Sequence, residues 1–253
     1  MQEGIDKSKI LEIVRKQLSI DMNCNTEDFD KGEIVFSESK LNKGRRMFDR
    51  QSPFLEIATM GKSVVVTADR DILVKIKPLL ENKTREDIFV APFIFGHSLY
   101  YIPDCKRLKK LPLPNGFEFC LKEGKEIHEL YKILGFENAL QYDINHPRPD
   151  VIALYATCGS EIVAMAGASA DSNLMWQIGI DVIPKFRNKG LATSLVSNLA
   201  IMIMEQGVVP YYGAASSNIA SQSVAYRSGF TPTWMCTYKN TFDGTAPYDG
   251  NIK

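Results

Sequence analysis

The spacing of apolar and polar positions changes several times along the chain, and each change marks an element. Ile10, Ile13, Val14 and Leu18 recur three and four residues apart, which predicts a helix over 6–19. Three short β-rich runs follow, "EIVFSES", "FLEIATM" and "KSVVVTAD", before "RDILVKIKPLLE" returns to the helical period. "KRLKKLPLPNGFEF" (106–119) then joins a charge cluster to Pro112, Pro114 and Gly116, punctuation that predicts a domain boundary. The expected organisation is an N-terminal α/β domain over 1–114 and a second domain over 115–253.

Beyond the boundary the pattern is more regular. "FEFCLKE" predicts a strand and "GKEIHELYKIL" a helix, and "NHPRP" (145–149) breaks the chain with two prolines. "VIALYATCG" and "EIVAMAGASA" read as strands joined through Gly159 and Ser160, and "NLMWQIGIDV" as a third strand after a turn at Asp171, Ser172 and Asn173. A helix at 189–206 stops at Gly207, "VVPYYGAAS" is the next strand, a helix at 219–228 stops at Gly229, and "FTPTWMCTYKN" closes the order. The last dozen residues, "FDGTAPYDGNIK", read as a loose tail. This order predicts an α/β (α+β) fold, a mixed sheet flanked by helices.

Composition narrows the function classes. Apolar residues make up 45% of the 253 residues and charged residues 24%, enough for a sizeable core. Thirty basic and thirty acidic residues cancel with no long block of one sign, so neither a nucleic-acid nor a membrane partner is expected. The basic stretch "GRRMFDR" (44–50) reads as a solvated loop face. Cys24, Cys105, Cys120, Cys158 and Cys236 lack CxxC spacing, and with three isolated histidines they give no metal pattern. Acidic Glu3, Asp6 and Glu12 interrupt the first apolar positions, and the expected location is the cytoplasm.

The chemistry concentrates at "RNKGLA" (187–192). A helix N-terminus presents unsatisfied N–H groups and the positive end of the dipole, and a glycine turn lets an anion come close. Lys185, Arg187 and Lys189 add positive charge, which suits a ligand with several phosphates, yet the stretch is neither GxxxxGK[ST] nor GxGxxG. "DVIPKFRNKGLATSLV" resembles the acetyl-CoA signature of the GNAT acetyltransferases, [Q/R]-x-x-G-x-[G/A], with Arg187, Gly190 and Ala192 in the key places. "NIASQSVAYRSGF" (218–230) resembles the family's next helix, and together the two cover about 115–240.

The resemblance implies acetyl-CoA as co-substrate, no metal, and a small-molecule or peptide amine as acceptor. It also implies cofactor contacts from the backbone of Ile180 and Val182, from Asp181, from Arg187, Asn188, Lys189, Gly190, Leu191, Ala192 and Thr193, and from Asn218 and Ser221. Many family members place a proton-donating tyrosine seven residues after the asparagine; here that position is Ala225, and Tyr226 is one step on. Ala225 lies about 20° from the face of Asn218, Ser221 about 60° and Tyr226 about 80°. Candidates for the acid are therefore Tyr226 and, through water, Ser221. Strand alternation puts Gln177, Gly179 and Asp181 on one face, making Asp181 the candidate base, with support of the following loop as its other role. His146 reads as a loop-packing residue.

The expected function is an N-acetyltransferase whose N-terminal domain shapes the acceptor pocket. Two alternatives stand beside it: a non-catalytic acyl-CoA-binding or regulatory module, suggested by Ala225, and a two-lobed aminoacyl or acyl transferase with a degenerate first lobe. The oligomeric state is open.

Overall fold

The computed structural model describes residues 6–48 and 54–243. Asp49 and Arg50 of the basic stretch, Glu3, and the expected tail from residue 244 on lie outside the described residues. Helix α1 (Lys7–Met22) buries Ile10, Val14 and Leu18, as their spacing predicts. Strands β1 (Ile34–Glu38), β2 (Leu55–Thr59) and β3 (Val64–Ala68) coincide with the three β-rich runs, and α2 (Arg70–Leu80) with the helical one.

Two further elements, α3 (Arg85–Phe89) and β4 (Ile94–Pro103), have no counterpart in the sequence reading. Thr84 starts α3: its Oγ1 accepts from Asp87 N at 3.1 Å, and the Asp87 carboxylate accepts from Thr84 N in return. In β4, Gly96, His97 and Ser98 interrupt the apolar alternation that would have revealed a strand.

Strand β5 (Glu118–Glu123) leads into Gly124–Lys132, where the expected helix winds as a 3-10 helix. Its two buried residues, Ile127 and Leu130, are three apart and so align on the three-residue turn of that helix. The remaining elements are β6 (Asp150–Cys158), β7 (Glu161–Ser169), β8 (Met175–Val182), α4 (Leu191–Glu205), β9 (Val209–Ala215), α5 (Ile219–Arg227) and β10 (Phe230–Asn240). All fall where the pattern predicts.

The chain divides into two compact units. The first takes in the described residues of Met1–Val14, Tyr101–Ala214 and Asn218–Pro232. Its strands follow the order β9-β8-β7-β6-β5, antiparallel throughout except for the parallel pair β8·β9. Leu195, Val196, Leu199, Ala200 and Ile203 form the buried side of α4, which packs on β6, β7 and β8. A second cluster joins Ile127, Leu130, Phe136 and Leu140 to Ala153 and Met165 of the sheet. Here Gly167 and Gly179 are cross-strand partners, and a Cβ on either would stand 1.9 Å from Ala139 O or 1.7 Å from Asn138 O. The absence of side chains at this pair lets segment 138–139 lie directly on the sheet.

The second unit takes in the described residues of Arg15–Tyr100, Ala215–Ser217 and Thr233–Lys253, with β1 parallel to β3, and β2 antiparallel to both β3 and β10. Ile57, Val66, Ile72, Ile76, Leu80 and Ile88 make its core. The solvated face expected of "GRRMFDR" is corrected by Arg45 and Arg46, which are both buried. Arg46 donates from Nε to Asp21 Oδ2 at 2.6 Å and from its backbone N to Oδ1 at 2.9 Å, and the Arg45 guanidinium lies 5.0 Å from the centroid of the Phe54 ring. A carboxylate buried on α1 requires such a partner, and that requirement draws the basic loop inward.

Among the described residues no helix is long and apolar enough to cross a membrane, and no group of three or more His, Cys, Asp or Glu could hold a metal ion. Among the described residues the five cysteines form no disulfide.

Candidate active site

The parallel ladder between β8 and β9 runs from Met175↔Val209 to Ile178↔Tyr212 and ends there, although β8 continues to Val182 and β9 to Ala215. The backbone that this leaves unpaired can be identified. Ile183 N donates to Val163 O across the β7 side, so by alternation the odd-numbered residues of β8 bond to β7 and the even-numbered ones turn away from it. The N–H and C=O groups of Ile180 and Val182 therefore face the gap where β9 has parted. One of these acceptors is filled: Arg187 Nε donates to Val182 O at 3.1 Å, folding the loop after β8 back on its end.

At the rim of the gap, α4 begins on Gly190, whose φ of +86° is left-handed, and Asn188 is left-handed as well at +63°. Such alternation turns successive N–H groups to one side. No side chain caps this helix, and a Cβ on Gly190 would meet one atom only, Pro114 Cγ at 3.9 Å. Ser194 N donates to Gly190 O, so the N–H groups of Leu191, Ala192 and Thr193 remain for an anion. Lys185 is paired with Glu161 at 2.9 Å, while the Lys189 ammonium lies 5.7 Å from the Phe186 ring centroid.

Helix α5 starts beside this opening. Asn218 caps it by accepting from Ser221 N at 3.1 Å, and Ser221 Oγ lies 2.7 Å from Tyr212 Oη. Tyr212 is buried, its ring edge-on to Phe230, and burial raises its phenol above the ordinary range. Sequence alternation gives no sign of this hydroxyl pair, because Tyr212 reads as one more core aromatic of "VVPYYGAAS".

Tyr226 is placed elsewhere. Its side chain is exposed and its ring stacks under the Arg107 guanidinium at 3.8 Å, about 140° around the helix from Ser221. Ala225, the residue at the family's tyrosine position, is fully buried. The Arg107 segment is itself tied down: Asp104 N donates to Gly229 O at 2.9 Å, and Ser194, Ser197 and Asn198 of α4 donate to the carbonyls of Pro112, Lys109 and Leu111. Gly229, at φ +92°, admits this segment, since a Cβ would stand 2.7 Å from Leu108 Cα.

Asp181 holds the 138–139 segment. Oδ2 accepts from Asn138 N at 2.7 Å and Ala139 N at 3.1 Å, and Oδ1 accepts from Asn138 Nδ2 at 2.6 Å. The loop it supports is therefore not the following one but one that precedes it by some forty residues, a pairing invisible to local sequence reading. His146 Nδ1 accepts from Arg148 N at 3.2 Å and orders the 146–148 turn.

Residues 152–238 match the family model described as GNAT acetyltransferase. This segment, which carries the parted strands and both helix starts, belongs to the GNAT superfamily. No curated protein matches the chain significantly. Similar solved structures include a GCN5-related N-acetyltransferase-like protein from Streptococcus suis (15% identity, 70% of this chain and 72% of that one, TM-score 0.46). A GCN5-related N-acetyltransferase from Kribbella flavida is 16% identical over 62% of this chain and 63% of its own length, TM-score 0.44. A Drosophila protein is 12% identical over 91% of this chain and 89% of that one, TM-score 0.43. The chain thus spans under two thirds of the Kribbella protein.

Proposed function

We propose that the first unit transfers an acetyl group from acetyl-CoA to a primary amine by direct attack. The observation that carries this reading is the early end of the β8·β9 ladder beside an uncapped, left-handed start of α4. The opening offers backbone donors and acceptors to an extended chain with amide groups, and the turn offers N–H groups to a pyrophosphate, the two chemical parts of an acyl-CoA.

In this reading Leu191, Ala192 and Thr193 hold phosphate oxygens through their backbone N–H groups, with Lys189 adding charge. Ile180 and Val182 hold the pantetheine arm and orient the thioester carbonyl. Arg187 acts on the loop, through Val182 O, more than on the ligand. Asp181 positions 138–139, and its Oδ1, with one donor bound, keeps a lone pair for a water that carries off the amine's proton.

Gly190→Val is the direct test. The branched side chain would stand in the open space beside the N–H groups, on a backbone that a β-branched residue rarely adopts. Wild-type protein should gain thermal stability with acetyl-CoA, as mass action requires, and the variant should lose at least about tenfold in affinity, about 1.4 kcal/mol. A folded Gly190→Val protein with wild-type affinity would contradict the phosphate assignment.

A further inference from the structure

We propose that Tyr212 is a positioning residue for this transfer, acting through Ser221; the inference rests on the acyl-CoA reading above. Tyr212 sits in the last β8·β9 pair, where the strands part, and its hydroxyl meets Ser221 Oγ at 2.7 Å on the first turn of α5. Among the described residues this is the one hydrogen bond of the Ser221 hydroxyl. A phenol is the stronger donor of the two and an alcohol oxygen the better acceptor, so Tyr212 donates and Ser221 accepts. The Ser221 hydrogen is then left over, and the half-buried side chain can direct it at a partner outside the pair.

The departing sulfur is that partner. As the amine nitrogen bonds to the carbonyl carbon, the C–S bond breaks and sulfur leaves with the electron pair as a thiolate. The Ser221 O–H donates a hydrogen bond to it and keeps its proton; the thiolate is protonated by water afterwards, and the amine's own proton is also lost to water. Burial helps by keeping the Tyr212 phenol neutral, with Asp181 and Tyr101 as the neighbouring groups that oppose a phenolate. Tyr212 therefore never needs to ionise. Asn218 fixes the height of Ser221 by capping its N–H.

The test compares wild type, Tyr212→Phe, Ser221→Ala, the double variant and Tyr226→Phe in turnover and in affinity for CoA against desulfo-CoA. Ser221→Ala should lower kcat by about 10- to 100-fold, the worth of a hydrogen bond to a charged group, with KM for acetyl-CoA within about twofold. Tyr212→Phe should give a smaller loss in kcat, the double variant should equal Ser221→Ala, and the preference for the thiol over desulfo-CoA should shrink in all three. Additive losses in the double variant would overturn the coupling. So would an unchanged thiol preference in Ser221→Ala, a readout that stands even if Tyr212→Phe does not fold. A loss confined to Tyr226→Phe would move the role to that residue. Wild-type protein that binds neither CoA nor desulfo-CoA would overturn the acyl-CoA reading itself, whereas binding of both with no thiol preference overturns only this inference.

Discussion

Gly179 has no room for a methyl group, because Asn138 O occupies the place where its Cβ would stand. The cost of substitution follows from overpacking at a backbone that cannot yield without lifting segment 138–139 off the sheet. Gly179→Ala should lower unfolding free energy by about 3 kcal/mol in urea titration, and a loss under about 1 kcal/mol would show that the segment is not anchored there. Asp150 makes a different prediction. Its Oδ2 accepts from Tyr131 Oη at 2.7 Å and Gln141 N at 2.8 Å, and burial raises its carboxyl above the ordinary range. With the folded value above the unfolded one, the native state binds more protons in the window between them, so stability falls as pH rises from the usual carboxylate range through the raised value. Asp150→Asn keeps an acceptor for both donors and should remove that slope, measured as unfolding free energy across pH 3–7 on the scale of ordinary carboxylate titration. An identical slope in the variant would assign it to another group.

Elements were legible where one period ruled them. The apolar side of α4 and the alternation of β6, β7 and β8 could be read directly, and with them the glycine turn before α4. What could not be read depends on register and on distant partners. The end of the β8·β9 ladder is a property of two strands together, the Asp181 contacts join segments far apart in sequence, and Tyr212 acquires a role only from where pairing stops. The buried position of Arg46 has the same origin, since its partner Asp21 lies on α1. Taking away one member of that pair strands a charge: Asp21→Asn should cost about 3–5 kcal/mol, while Asp21→Leu with Arg46→Met should recover most of it. Chemical denaturation of the three proteins checks this, and equal losses in the single and double variants would contradict a buried-pair role.

For the whole molecule, thirty basic and thirty acidic residues give no overall field to concentrate a charged ligand, so any affinity for an anionic one has to be built locally. The left-handed turn at Asn188 and Gly190 is such a local arrangement, and it stands at the mouth of the parallel β8·β9 ladder. Binding and catalysis make separable demands on it. A module that merely binds acyl-CoA needs the turn and the unpaired backbone; an acetyltransferase also needs an amine brought to the carbonyl and a donor for the sulfur. The most direct measurement is therefore release of free CoA from acetyl-CoA across a broad panel of primary amines, with mass detection of the acetylated product. The account predicts release above background hydrolysis with at least one amine, together with an acetylated amine in equal amount. Tight binding of acetyl-CoA with no release and no acetylated product from any amine would contradict it and leave a binding module in its place.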